Sequence, residues 1–271
     1  MNKTILITGA SSGIGHATVL YFSAKGWNVV ATMRNIDKQK EFSSLGNVLL
    51  LQLDVTKKDT IVKAFKDAIL KFGKIDVIVN NAGYGLMGPF ELLDSEQILK
   101  QYETNVFGLM NVIKEALSYF RENKTGTIIN ISSVGGRLAI PLYSLYSSSK
   151  WAIEGFSESL QFELKQFNIK VKLVEPGPIK TDFYNRSADK PKTNTFKNYE
   201  KLTSTVMPKL NSAGYSGLEP IEVAKVIYKA ANSDNYKLRY GVGSSIKFVL
   251  FLRKITPDFI FNAVARIILV R

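Results

Sequence analysis

Ile5-Leu6-Ile7-Thr8-Gly9-Ala10-Ser11-Ser12-Gly13-Ile14-Gly15 reads as a short apolar strand, a glycine turn and the start of a helix. Glycines at 9, 13 and 15 stand where the chain turns tightly and where a ligand must approach the backbone closely. The helical pattern that follows, from Ile14 to Lys25, turns its free N–H groups and positive dipole end toward that turn, which suits a pyrophosphate. Ser11, Ser12 and Ile14 complete the candidate phosphate loop. Its spacing is GxxxGxG rather than GxGxxG, so the general dinucleotide rule is met only in part. The next β-branched run begins at Asn28 and closes a strand-helix-strand unit.

The same alternation continues outward. Apolar runs at 47–55, 75–83, 126–133 and 169–177 are separated by helical patterns near 58–72, 96–122 and 144–167. Strands this continuously apolar are buried on both faces, as in parallel sheets covered by helices. The expected fold is therefore α/β: a Rossmann-like, doubly wound parallel sheet with helices on both faces, in a single domain spanning 1–271. A (β/α)8 barrel is the competing layout. The rhythm breaks over 179–217, rich in Asn, Thr, Lys and Ser with Phe183, Tyr184, Phe196 and Tyr199 among them. An insertion at the carboxyl end of a strand reads as a substrate lid, with a variable surface loop as the alternative.

Composition excludes several chemistries. The 271 residues contain no cysteine and one histidine, His16, so disulfides, thiolate metal sites and a multi-histidine metal site are ruled out, and no metal is expected. His16, just past the glycine turn, reads as a helix-surface or packing residue. The net charge of +13 is scattered, without a basic block or nucleic-acid reading motif, so no nucleic-acid partner is expected. No apolar run approaches the roughly 20 residues needed to cross a bilayer, and a cytoplasmic protein is expected. The tail, about 244–271, is apolar and aromatic with flanking basic residues. It reads as packing over a pocket, as a subunit contact or as a peripheral contact with an anionic membrane.

Tyr146 and Lys150 lie four apart in the helix that begins near Ser144, which puts them on one face. A phenol titrates near 10, and a neighbouring ammonium lowers that value toward the range acid–base catalysis needs. With the TGASSGIG turn and the Asn80-Asn81-Ala82-Gly83 run, this Tyr-x-x-x-Lys resembles the short-chain dehydrogenase/reductase family over residues 3–182. Around the tyrosine it is similar to the 17β-hydroxysteroid and retinol dehydrogenase branch. The resemblance implies that the first turn carries the cofactor phosphates. It implies that Asp54, with Val55 beside it, contacts the adenine, and that Asn81, Ala82 and Gly83 line the groove. It further implies that Pro176, Gly177, Ile179 and Thr181 form the nicotinamide-side loop. Ser133, thirteen residues before the tyrosine, corresponds to the catalytic serine, with adjacent Ser132 as the alternative. Asn105, a poor helix former inside a helical pattern, corresponds to the fourth member, kinking its helix and holding a water on a relay to Lys150.

Cofactor preference turns on the end of the second strand, Val30-Ala31-Thr32-Met33-Arg34. No acid stands there to take a ribose 2′-hydroxyl, whereas Arg34 can fork onto a 2′-phosphate. NADP(H) is favoured over NAD(H), with Asp37 three residues on keeping NAD(H) in play. The expected activity is interconversion of a carbonyl and an alcohol on a lipophilic small molecule, its pocket lined by Leu138, Ile140, Leu142, Tyr143, Phe183 and Tyr184. The alternatives are an NAD-dependent alcohol dehydrogenase and a nucleotide-sensing binder without turnover. By resemblance the chain forms a homodimer or homotetramer through its two long helices.

Overall fold

The strand that precedes the glycine turn, β1 (Thr4–Ile7), is buried along its whole length. In the computed structural model, which describes residues 2–37, 39–184, 188–189, 191 and 197–270, the reason is its central place in a seven-stranded sheet. The further strands are β2 (Asn28–Met33), β3 (Val48–Gln52), β4 (Val77–Asn80), β5 (Gly85–Leu86), β6 (Gly126–Ile131), β7 (Ile169–Glu175), β8 (Ala188–Asp189) and β9 (Arg239–Gly241). The large sheet runs β3-β2-β1-β4-β6-β7-β9, with every pairing parallel. It has two edges, so it is an open doubly wound sheet and not a closed barrel. The short β5 and β8 pair separately.

The helices are α1 (Gly13–Ala24), α2 (Lys58–Phe72), α3 (Ser95–Tyr102), α4 (Gly108–Glu122), α5 (Ser144–Leu164), α6 (Glu200–Tyr215), α7 (Pro220–Ala231), α8 (Ser244–Ile255) and α9 (Asp258–Val270). Alternation along β1 sends Ile5 and Ile7 to one face, against Val19 and Phe22 of α1 and Val223 and Ile227 of α7. Leu6 goes to the other face, with Ile61 of α2, Val112 of α4 and Ile153 of α5. Burying both faces is what makes the strands read as continuous apolar runs. Phe22 anchors the first layer edge-on to Trp27 and Tyr228, with ring centroids 5.1 and 5.2 Å away. The chain leaves β1 for β2 on one side and later returns to β4 on the other. The crevice at the carboxyl ends of these strands is where such sheets bind ligands.

Three sequence expectations are corrected here. The single helix near 96–122 is two helices, α3 and α4, joined by a wide π-helical turn over Glu103–Phe107. The 179–217 segment contains α6 in addition to irregular chain, and the tail is a helix pair. The third is an omission: α7 and the seventh strand of the sheet, β9, were not anticipated, because three residues of β9 are too few for a period to show. Phe196 and Arg271 lie outside the described residues.

Candidate active site

The crevice opens into a cavity of about 1060 Å³ that runs from the end of β2 to the start of α5. At its floor the Thr8 hydroxyl accepts hydrogen bonds from the backbone N–H groups of Asn81 and Ala82, at 3.0 and 3.1 Å. The Asn81 amide donates back to the Thr8 and Gly9 carbonyls, at 2.9 and 3.0 Å. The glycine turn is thus fastened to the end of β4. Gly9 has φ +67°, and a Cβ there would sit 2.7 Å from the Ala82 Cα. A Cβ on Gly15 would meet the Gly9 carbonyl oxygen at 2.3 Å, so any side chain at either position would push the turn off β4. Ser12 caps α1 in extended conformation without a side-chain bond to the first turn. Ser12, Gly13 and Ile14 at that helix start line the cavity.

Of the residues singled out for cofactor binding, Gly9, Ser11, Ser12, Gly13, Ile14, Arg34, Asp54, Val55, Asn81, Ala82, Gly83, Tyr146, Lys150, Pro176, Gly177, Ile179 and Thr181 line this one cavity. Gly15 does not: it packs behind the turn. Arg34 is exposed at the end of β2, and Asp37 does not reach the cavity wall. The Asp54 carboxylate accepts from the Thr56 N–H and hydroxyl, at 3.0 and 2.8 Å, which fixes its orientation at the cavity edge. Gln39, a residue with no motif around it, lines the same end and donates to the Ser11 carbonyl at 2.6 Å. His16 pairs with Glu41 at 3.0 Å and stacks on Phe42, the packing role expected of it.

At the far end, Ser133, Tyr146 and Lys150 converge. Tyr146, 8% exposed, packs edge-on to Tyr143 and Phe183, with ring centroids 5.6 and 5.3 Å away. The Lys150 Nζ lies 5.9 Å from the centre of the Tyr146 ring and donates to the Ile131 carbonyl at 2.8 Å. Burial lowers the Lys150 pKa to about 8, against the upward pull of Glu154. The two serines before it differ. A Cβ built on Gly135 would lie 3.5 Å from the Ser133 Oγ and 3.4 Å from the Tyr146 ring, so these two side chains border one spot. The Ser132 Oγ lies toward Gly136 instead and is buried without a hydrogen-bond partner.

Asn105 does not line the cavity. It is 1% exposed, inside the π-helical turn, with its carbonyl oxygen accepting from the Tyr84 N–H and its amide donating to the Tyr84 carbonyl and the Ser149 hydroxyl. The side chain that marks the break in the 96–122 helix therefore ties it to the loop after Gly83 and to α5. Tyr84 lines the cavity, and its phenol is pushed well above its ordinary range, first by burial and then by Asp189 and Glu103. On the opposite wall Ile140, Tyr143, Phe183 and Leu210 make an apolar lining. Leu138 and Leu142, expected there, are not part of it. Leu142 sits in a left-handed turn, φ +65°, on the outer side of the loop.

Buried behind Pro176 is a cluster that sequence reading missed. Glu175 accepts from Arg137 at 3.1 Å, while Arg239 on β9 reaches Glu154 at 2.9 Å and Glu158 at 2.7 Å. Burial and the Glu154 charge push the Glu175 carboxyl up to about 7.

Comparison with known proteins adds to this geometry. A family profile described as short chain dehydrogenase matches residues 3–192. The chain is 37% identical over 251 residues to a 3-ketodihydrosphingosine reductase of Bacteroides thetaiotaomicron, covering 93% of this chain and 91% of the relative. Among solved structures it is similar to a short-chain dehydrogenase from Streptomyces avermitilis at TM-score 0.84 and 30% identity, covering 98% and 96% of the two chains. It is also similar to ElxO with NADP bound, at TM-score 0.76 and 30% identity, covering 92% of this chain and all of the other.

Proposed function

The chain belongs to the short-chain dehydrogenase family, whose members are NAD(P)-dependent oxidoreductases acting on CH–OH groups, and we propose that it is an NADP(H)-dependent enzyme interconverting a carbonyl and an alcohol on a lipophilic small molecule. The observation that carries this reading is one cavity with Arg34 at one end and Ser133, Tyr146 and Lys150 at the other. The residues fit a dinucleotide. Gly9, Ser11, Ser12, Gly13 and Ile14 line the cavity, glycine at 9 and 15 lets their turn close against the backbone of Ala82 and Gly9 where a Cβ would clash, and Arg34 forms no ion pair with an acid among the described residues.

When bound, the nicotinamide supplies or accepts the hydride at the carbonyl carbon. Ser133 holds the substrate oxygen by a hydrogen bond, which stabilises charge developing there. Tyr146 gives that oxygen a proton in reduction and takes it back in oxidation. Lys150 remains an ammonium below about pH 8, so near neutral pH it favours the ionised phenol and offers donors to ribose hydroxyls. Asn105 anchors the π-helical turn against Ser149, one residue before Lys150, and a water held at that turn would carry the relay onward. The apolar wall of Ile140, Tyr143, Phe183 and Leu210 excludes water and favours a lipophilic substrate. This matches the lipid carbonyl named for the Bacteroides relative.

Pairing through α4 and α5 would cover Phe162, which is 73% exposed, and neighbouring apolar surface. The tail helices present Phe248, Phe251 and Ile255 on α8, and Phe259, Ile267 and Ile268 on α9, to the outside. Lys247, Lys254 and Arg266 lie among them, a pattern suited to resting on an anionic membrane. No helix among the described residues is long and apolar enough to cross one.

The deciding experiment titrates the protein with NADPH and NADH by nucleotide fluorescence, with and without Arg34→Ala. Loss of a charge-assisted contact to the 2′-phosphate is expected to weaken NADPH binding roughly 10- to 100-fold and to leave NADH unchanged. Equal affinities in the unmodified protein would overturn the NADP(H) assignment. Binding of neither nucleotide would overturn the reading of the site.

A further inference from the structure

A second cavity, of about 720 Å³, lies on the other side of the loop that bears Ile140. Its walls are largely carbon: Ile140, Leu142 and Trp151 on one side, Ala265 and Val270 of α9 on the other. Ile140 lines both cavities. Tyr143 and the first turns of α5 form the rest of the partition, with Tyr143 and Tyr146 lining the reacting side and Ser144 and Ser148 the outer side. The loop that separates them is held in an unusual shape. Leu142 has φ +65°, a conformation that a branched side chain keeps only when its surroundings impose it. Here the Gly88 N–H donates to the Leu142 carbonyl at 2.8 Å. The Lys209 ammonium donates to the Ile268 carbonyl at 3.0 Å, which joins α9 to α6 and fixes the outer wall.

We propose that this second cavity takes the hydrocarbon chain of a long-chain carbonyl or alcohol whose reacting group sits between Ser133 and Tyr146, a proposal that rests on the carbonyl–alcohol reading above. The volume is in the range of small-molecule sites. The lining offers no acid, and its one charged residue, Arg266, is exposed at the rim. A chain passing over Ile140 would exchange water for carbon at every methylene, which is the recognition available to an apolar tail. A short carbonyl compound would use only the first cavity.

The test has two arms. In the kinetic arm, NADPH-dependent reduction is followed for n-alkanals from butanal to tetradecanal. kcat/KM is expected to rise roughly threefold per methylene past the short members. Ala265→Phe, which fills the second cavity from α9, is expected to flatten that rise for decanal and longer while leaving butanal unchanged. The binding arm needs no turnover. The chain has two tryptophans, of which Trp27 is buried in the core and Trp151 lines the cavity. A bromododecanol is expected to quench tryptophan fluorescence saturably, and bromopropanol is not; Trp151→Phe removes the response and Ala265→Phe shifts it to at least tenfold higher probe concentration.

Butanal reduction with no chain-length effect and no saturable quenching would overturn the proposal while leaving the oxidoreductase reading intact. Saturable quenching without reduction of any alkanal would sustain the cavity as a chain site and count against the reaction. Ala265→Phe altering particle mass in sedimentation while quenching persists would make this surface a contact between copies, and the proposal would fall.

Discussion

Tyr146→Phe is expected to abolish turnover in practice, lowering kcat by roughly a thousandfold, while NADPH binds within about twofold of the unmodified protein. The ring itself is held by packing: it is 8% exposed and meets Tyr143 and Phe183 edge-on. Phenylalanine keeps those contacts, so the fold and the cavity wall should persist. What disappears is the hydroxyl proposed to give the substrate oxygen its proton. The comparison that separates chemistry from packing is Tyr143→Phe, one turn away in the same cluster, which should keep more than a third of kcat. Stopped-flow hydride transfer together with nucleotide titration reads both. Comparable loss in the two variants would assign the effect to the aromatic cluster and remove Tyr146 from its proposed role.

Much of this was legible because the relevant physics is local. A glycine at 9 or 15 announces a missing Cβ, and the structure shows the backbone that a Cβ would strike. Tyr146 and Lys150 share a helix face by spacing alone. Asn105 stood out as a poor helix former, and the resemblance implied a kink there, yet its form as a π-helical turn was not legible, because that turn is tied to Tyr84 and Ser149, 21 and 44 residues away. The two leucines placed in the pocket were misplaced for a similar reason. Apolar character says that Leu142 is covered, not on which side, and a left-handed turn decides the side. Least legible was the Arg137, Glu154, Glu175 and Arg239 cluster. In sequence these are ordinary charges scattered over a hundred positions; the turn after β6 brings Arg137 to Glu175, and the addition of β9 beside β7 brings Arg239 to Glu154 and Glu175.

That cluster carries the second large effect. Arg239→Met is expected to cost about 3 kcal/mol at pH 8, which for a chain of this size lowers Tm by roughly 5 °C. Glu154 and Glu175 are 4% and 3% exposed, and Arg239 supplies the Glu154 hydrogen bond and stands 3.7 Å from Glu175. Removing the cation leaves a buried carboxylate without its partner, and methionine fills the space without replacing the charge. The loss should depend on pH with a definite sign. In the unmodified protein the Glu175 carboxyl is raised from 4.5 to about 7, so the folded chain holds that proton more tightly than the unfolded one. Its contribution is present in acid and is lost as pH rises through that window. Without Arg239, one of the charges that holds the Glu175 pKa down, the Glu175 carboxyl is pushed further toward the protonated form, so the variant should lose less at pH 5 than at pH 8. Thermal denaturation of both proteins at the two pH values measures this directly. An equal loss at both would mean that packing of the arginine stem, and not its charge, is what β9 contributes, and Arg239→Lys would then be as damaging as Arg239→Met.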